Sequence, residues 1–257
     1  MHQLDHVVME SESPEAVFEL LTERFALPVA WPMAQWGPIH EGGVVVGGCN
    51  VGCNPPFDPV AENPPGVSAL MFQPAGGLPA AQAELAAREV PHSEVMTQPA
   101  LDVTVGDADP WRRGWALVLL AEPTAPATFL CEYAHEVDAR RREEHARLAQ
   151  TAGGRLGITR LAEVVVGTSG AGEESESWRR LLDPWPEVEP TTWELGGGPR
   201  TRLTAGDPSV TLVFDVEDLR DTGRALHDLD IGWEADHGDV RPSPEAVHGL
   251  DLRFRES

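Results

Sequence analysis

The sequence predicts an α+β protein. Short apolar runs of strand length alternate with amphipathic stretches of helical period. The same order, a strand, then a helix, then further strands, recurs four times along the 257 residues. Repetition of one unit signals internal duplication, and helices set against mostly antiparallel strands define the class.

The first unit opens with residues 4–9, a Val-rich strand. Ser13 offers an N-cap oxygen and Pro14 suits the first helical position. Val17, Leu20, Leu21 and Phe25 then follow at helical spacing. Residues 27–38, rich in Pro and Trp, read as a connecting stretch before a strand pair around residues 43–53. After a loop over 54–65 the second unit begins. Residues 67–73 form its strand, 78–90 its helix, and 101–105, 115–121 and 128–133 its later strands. Residues 136–151, dense in charge and Ala, predict a linking helix ended by Gly153 and Gly154. The third unit has strands at 158–167, 193–195 and 201–203 with a helix near 173–182. The fourth has a strand at 210–216, a helix near 219–229 and a final strand at 250–255. This divides the chain into residues 1–135, a linking helix at 136–156, and residues 157–257.

Composition excludes several function classes. The net charge of −23 opposes binding to nucleic acid, because neutralising phosphates takes clustered cations. The densest basic run, Arg140 to Arg142, is followed at once by Glu143 and Glu144. No apolar run approaches the roughly 20 residues of a membrane-spanning helix. The amino terminus lacks the basic-then-apolar pattern of a secretory signal, so a cytoplasmic location without membrane contact is expected. Cys49, Cys53 and Cys131 are too few for a disulfide framework, and they read as small buried thiols. Neither a phosphate-binding loop nor a G-x-S-x-G elbow is present.

Five segments resemble the glyoxalase-like, or vicinal oxygen chelate, superfamily. Leu4-Asp5-His6-Val7-Val8 is similar to its opening strand. Gly42 to Gly52, including Asn50, resembles the closing strand of a first module, and Phe129-Leu130-Cys131-Glu132-Tyr133 that of a second. The other two are in the second half, where residues 157–167 and 193–199 look like a later module. The resemblance implies four βαβββ modules paired into two domains of the glyoxalase and bleomycin-resistance type. Each pair curls into a cup. In many members a divalent metal in the cup holds two adjacent substrate oxygens, and in others the cup sequesters a drug without metal.

Carried onto this chain, the resemblance makes His6 and Glu132 the catalytic and metal-ligating pair. Strand alternation turns His6 into the cup and Asp5 away, and places Glu132 opposite in facing to Cys131 and Tyr133. The other two ligand positions hold Gly52 and, in the second module, Ala69 or Ser68. His40, His135 and Glu136 are the candidates for a further ligand. Trp31, Trp36, Asn50, Met71, Phe72 and Trp115 are the expected pocket wall. The implied cofactor is a divalent ion (zinc, iron, manganese or nickel) or none. The implied activity is that of a small-molecule lyase, isomerase or dioxygenase working in the first half. The alternative is metal-free binding of a small molecule. A homodimer is compatible with the family, and the second half reads as a structural partner or lid.

Overall fold

The computed structural model describes residues 3–56, 66–106, 111–121, 126–133, 137–169 and 171–257, with backbone alone for 137, 138 and 171–173. The first unit comprises β1 (Gln3–Glu10), α1 (Pro14–Glu19), β2 (Val29–Trp36), β3 (Ile39–Val45) and β4 (Asn50–Asn54). The second comprises β5 (Gly66–Gln73), α2 (Leu78–Ala87), β6 (Met96–Val103), β7 (Trp111–Leu120) and β8 (Ala127–Tyr133). Helix α3 (Val137–Gln150) links these to the second half. There β9 (Ile158–Thr168), α4 (Ala171–Leu182), β10 (Glu187–Glu189), β11 (Thr192–Glu194) and β12 (Arg200–Ala205) form the third unit. The fourth is β13 (Ser209–Val216), α5 (Leu219–Asp228), β14 (Trp233–Asp236), β15 (Asp239–Pro242) and β16 (Asp251–Glu256). All four units are βαβββ.

Each half makes one eight-stranded sheet, ordered β2-β3-β4-β1-β5-β8-β7-β6 and β10-β11-β12-β9-β13-β16-β15-β14. Within a unit the first and last strands pair in parallel, as β1 does with β4 and β5 with β8. The two units of a half then join through their opening strands in antiparallel fashion. The edges of the first sheet approach one another, since a Cβ on Gly37 would meet the Gln98 side chain at 2.8 Å.

Local chemistry explains most element bounds. Pro14 starts α1, while Ser13 serves through its carbonyl and not its hydroxyl. Gly153 stops α3 in the left-handed conformation at φ 71°, where a residue without Cβ is unstrained. Strand β2 falls inside the stretch read as a connection. Pro32 cannot donate to a ladder, yet β2 is an edge strand with irregular register around that proline, and an edge tolerates the loss. Strands β10, β14 and β15 also escaped the sequence pattern. They are only three or four residues long, and β10 and β14 are largely exposed, so neither shows an apolar period.

The halves pack intimately. Met9, Phe25 and Val51 meet Leu212, Phe214 and Phe254 around an apolar void, and Phe72 meets Trp178 edge to face at 6.4 Å. Leu161 N–H donates to Val46 O at 2.7 Å and Arg155 N–H to Phe25 O at 2.8 Å. Arg88 donates to the carbonyls of Arg180, Leu181 and Asp183 at 3.0, 3.1 and 2.5 Å. A cation from the first half thereby satisfies the orphan acceptors at the negative end of α4.

Candidate functional site

The inner face of the first sheet holds the candidate site, and a β-bulge shapes it. The pairing of β1 with β5 slips between Leu4 and His6, so strict alternation fails there. Asp5 and His6 consequently lie together. Both are buried, and His6 Nδ1 stands 2.7 Å from Asp5 Oδ2. Tyr133 Oη donates to the same carboxylate oxygen at 3.0 Å and lies 3.4 Å from His6 Nδ1. The other oxygen of Asp5 accepts from Arg140 at 2.8 Å and Arg141 at 2.6 Å. Both arginines belong to α3, which lies across this face like a stopper. Glu144, one turn further along, accepts from Asn50 Nδ2 at 3.2 Å.

A second cluster adjoins the first. Arg113 pairs with Glu41 and stacks on the Trp31 ring at 4.1 Å, with the Trp115 and Tyr133 rings at 5.2 and 5.8 Å. A guanidinium surrounded by aromatic faces is held by the ring quadrupoles. His6 meets the edge of Trp31 at 5.7 Å. Trp31 lies flat against Gly43, where a Cβ would come within 2.5 Å of the ring.

The electrostatics follow from burial and pairing. Burial alone would raise the Asp5 carboxyl. The His6 hydrogen bond and the two guanidinium charges together outweigh it and hold Asp5 well below the usual carboxylate range. Burial, reinforced by the Asp5 charge, pushes the Tyr133 phenol well above its ordinary value, so it stays a donor. Burial likewise lifts the Cys131 thiol to about 12, which removes it as a nucleophile. Glu144 is also raised, again chiefly by burial.

The expected pairing of His6 with Glu132 is corrected. Glu132 Oε2 accepts from the Leu78 N–H at 3.1 Å, at the first turn of α2. Successive strand residues face opposite ways, so Glu132 looks outward to α2 and its neighbour Tyr133 looks inward to His6. His40 also turns outward, with Nε2 3.0 Å from Glu15 of α1. His135 and Glu136 lie outside the described residues. Trp31 and Asn50 do flank His6, Met71 is its register partner and Trp115 sits by Arg113. Trp36 is fully buried and donates to Pro32 O at 3.2 Å. Phe72 leaves the inner face for Trp178.

These donors do not fit a chelated metal. His6 keeps Nε2 free, since only Nδ1 is engaged by Asp5, but it is left as a single ligand: Glu132 is behind the sheet, and Gly52 and Met71 offer no hard donor. Among the described residues no three His, Cys, Asp or Glu side chains gather to hold an ion. Sequence reading missed Asp5, Arg113, Glu41, Arg140 and Tyr133. The signal available for the first was its placement: an Asp-His pair inside an otherwise apolar strand.

No family model matches the sequence, and no curated protein matches it. Solved structures do. A hypothetical protein from Staphylococcus aureus superposes with a TM-score of 0.66 at 11% identity, over 100% of both chains. Homoprotocatechuate 2,3-dioxygenase from Arthrobacter globiformis gives 0.60 at 10% identity, over 99% of this chain and 80% of that one. The 2,3-dioxygenase LapB from Pseudomonas sp. KL28 gives 0.58 at 10% identity, over 99% and 92%. Likeness at such identity concerns architecture and not activity. With four βαβββ units paired into two eight-stranded sheets, the chain has the double-length glyoxalase-like, or vicinal oxygen chelate, fold.

Proposed function

We propose that the chain is a metal-independent small-molecule-binding protein whose ligand enters the inner face of the first sheet beside His6. One observation carries this reading. Trp31 Nε1 and Asn50 Oδ1 are buried there without a hydrogen-bond partner, one donor and one acceptor on either side of His6. A buried polar atom left unpaired costs about 1–3 kcal/mol, and a bound polar molecule would recover that cost. The dioxygenases of similar architecture suggest ring cleavage as a rival. That chemistry, as the family practises it, runs on a chelated metal, and the donors among the described residues do not gather to hold one.

The Asp5–His6 couple favours a second reading, a proton-transferring isomerase or lyase. Asp5 fixes the Nδ1 side of the ring, so Nε2 is the nitrogen turned toward a ligand. Elemental analysis of the purified chain, with thermal shifts for a small-molecule panel in EDTA, tests the first reading. Substoichiometric metal and ligand-induced stabilisation unaffected by EDTA are expected. Stoichiometric metal, or loss of every ligand shift on chelation, overturns it. For the second, His6→Gln should abolish turnover of any converted ligand while weakening its binding less than tenfold, roughly one lost neutral hydrogen bond.

A further inference from the structure

The second sheet carries a charged array that the first-sheet reading does not use. Leu212, Phe214, Leu252 and Phe254 are buried and line the void shared with Met9 and Phe25 of the first half. Alternation therefore turns Asp215, Arg253 and Arg255 to the opposite face. Arg160 Nε lies 2.8 Å from one oxygen of Asp215, and Arg255 Nε lies 2.8 Å from the other. Arg202 grips Glu163 through Nε at 2.8 Å and Nη2 at 3.2 Å, with Arg255 3.9 Å from the same carboxylate. Four adjacent strands, β12, β9, β13 and β16, thus contribute to one row.

Within these two ion-pair clusters the groups turned to solvent are the cations. The Asp215 and Glu163 side chains are only 4% and 10% exposed, whereas Arg160, Arg255 and Arg202 are 61%, 36% and 35% exposed. Arg253 adds a fourth guanidinium, and its Nε is buried without a partner. The acidic groups beyond it, Asp236 and Asp251, are 36% and 41% exposed but are paired with Arg241 at 3.0 and 3.9 Å, and Asp251 also accepts from Thr211. The sequence contains no lysine, so every side-chain cation here is a planar fork suited to bidentate pairing with an oxyanion. In a chain of net charge −23, a local cationic face is a selective feature and not a general one.

We propose that this face is a second small-molecule site, which takes a compact anion bearing a carboxylate or phosphate group. Arg253 and Arg255 grip the anion, and Arg160 and Arg202 form its rim.

Isothermal titration calorimetry of the full chain, with inorganic phosphate and malonate as separate probes, tests the site. Saturable binding of at least one probe, weakened by added NaCl, is expected, and the probe that saturates identifies the oxyanion. Arg253→Met should weaken it about tenfold or more, the worth of one charge-assisted hydrogen bond. The same substitution should leave the melting temperature without probe close to the parent value, since the Arg253 Nε bonds nothing. Should that variant fail to fold, Arg160→Gln at the exposed rim carries the test with a smaller loss. His6→Gln must bind both probes as the parent does, which separates this site from the first sheet. The proposal is overturned if neither probe saturates, or if the parent and both arginine variants bind equally.

Discussion

The chemistry of the first sheet turns on one carboxylate. Asp5 is wholly buried and answers one imidazole, one phenol and two guanidiniums. Removing one member of a buried ion pair strands its partners and typically costs about 3–5 kcal/mol, so Asp5→Asn should lower the stability measured by urea denaturation at pH 7 by about that much. The pH dependence has a definite sign. Asp5 titrates lower in the folded chain than in the unfolded one, so its contribution is complete above the ordinary Asp value, about 3.9, and is lost as pH falls below that value. Glu144 is shifted the other way, so its protonation on acidification favours the fold and does not contribute to the loss. The gap between parent and Asp5→Asn should therefore stay constant from neutral pH to about pH 5 and close below about pH 4. A gap that persists undiminished at the lowest pH where both still fold would show that Asp5 acts through packing and not through charge.

At the level of elements, what was legible depended on apolar period. Strands β5, β9, β13 and β16 were evident because their buried faces impose it, and α1 because Pro14 and the leucine spacing agree. Strand β2 was hidden by Pro32, β14 by its exposure and β15 by its length of only four residues. The site was legible in position but not in partnership. His6, Trp31 and Asn50 reach the same inner face, yet the bulge at Asp5 breaks the alternation on which the choice of partner rested. No one-dimensional pattern announces such a bulge, or a linking helix that lies across the sheet it has just left. Glu132 shows the consequence. Helix α2 starts at Gly77, which has no side chain to cap it, and the Glu132 carboxylate supplies the missing acceptor from a strand 54 residues away. Glu132→Ala should then behave as the loss of a helix cap, costing about 1 kcal/mol. Binding at the inner face should be untouched, whereas Tyr133→Phe, which removes the hydroxyl beside His6, should change it. Loss of ligand binding in a well-folded Glu132→Ala chain would return that residue to the site.

For the whole molecule, the question is whether two sheets built from the same unit behave as two bodies or one. The contacts between them argue for one. The void between the halves is lined by apolar side chains from both, and Gly47 approaches Thr159 O so closely that a Cβ would stand 2.6 Å from it. Arg88 terminates a helix of the other half. Trp178 is fully buried in α4, with Phe72 of the first sheet against its ring. Separating the halves would expose that apolar surface and unpair those carbonyls, so neither half gains by unfolding later than the other. Thermal unfolding should follow one transition, with coincident midpoints from far-ultraviolet circular dichroism, from tryptophan fluorescence and from calorimetry. Trp178→Ala creates a large cavity and should cost about 3–5 kcal/mol, lowering that single midpoint without splitting it. The same reasoning makes Arg88→Ala informative, because it deletes three hydrogen bonds between the halves while leaving both cores intact. If either variant yields two transitions, only one of them displaced, the interface is a weak contact between independent domains, and the cooperativity argued from its packing is wrong.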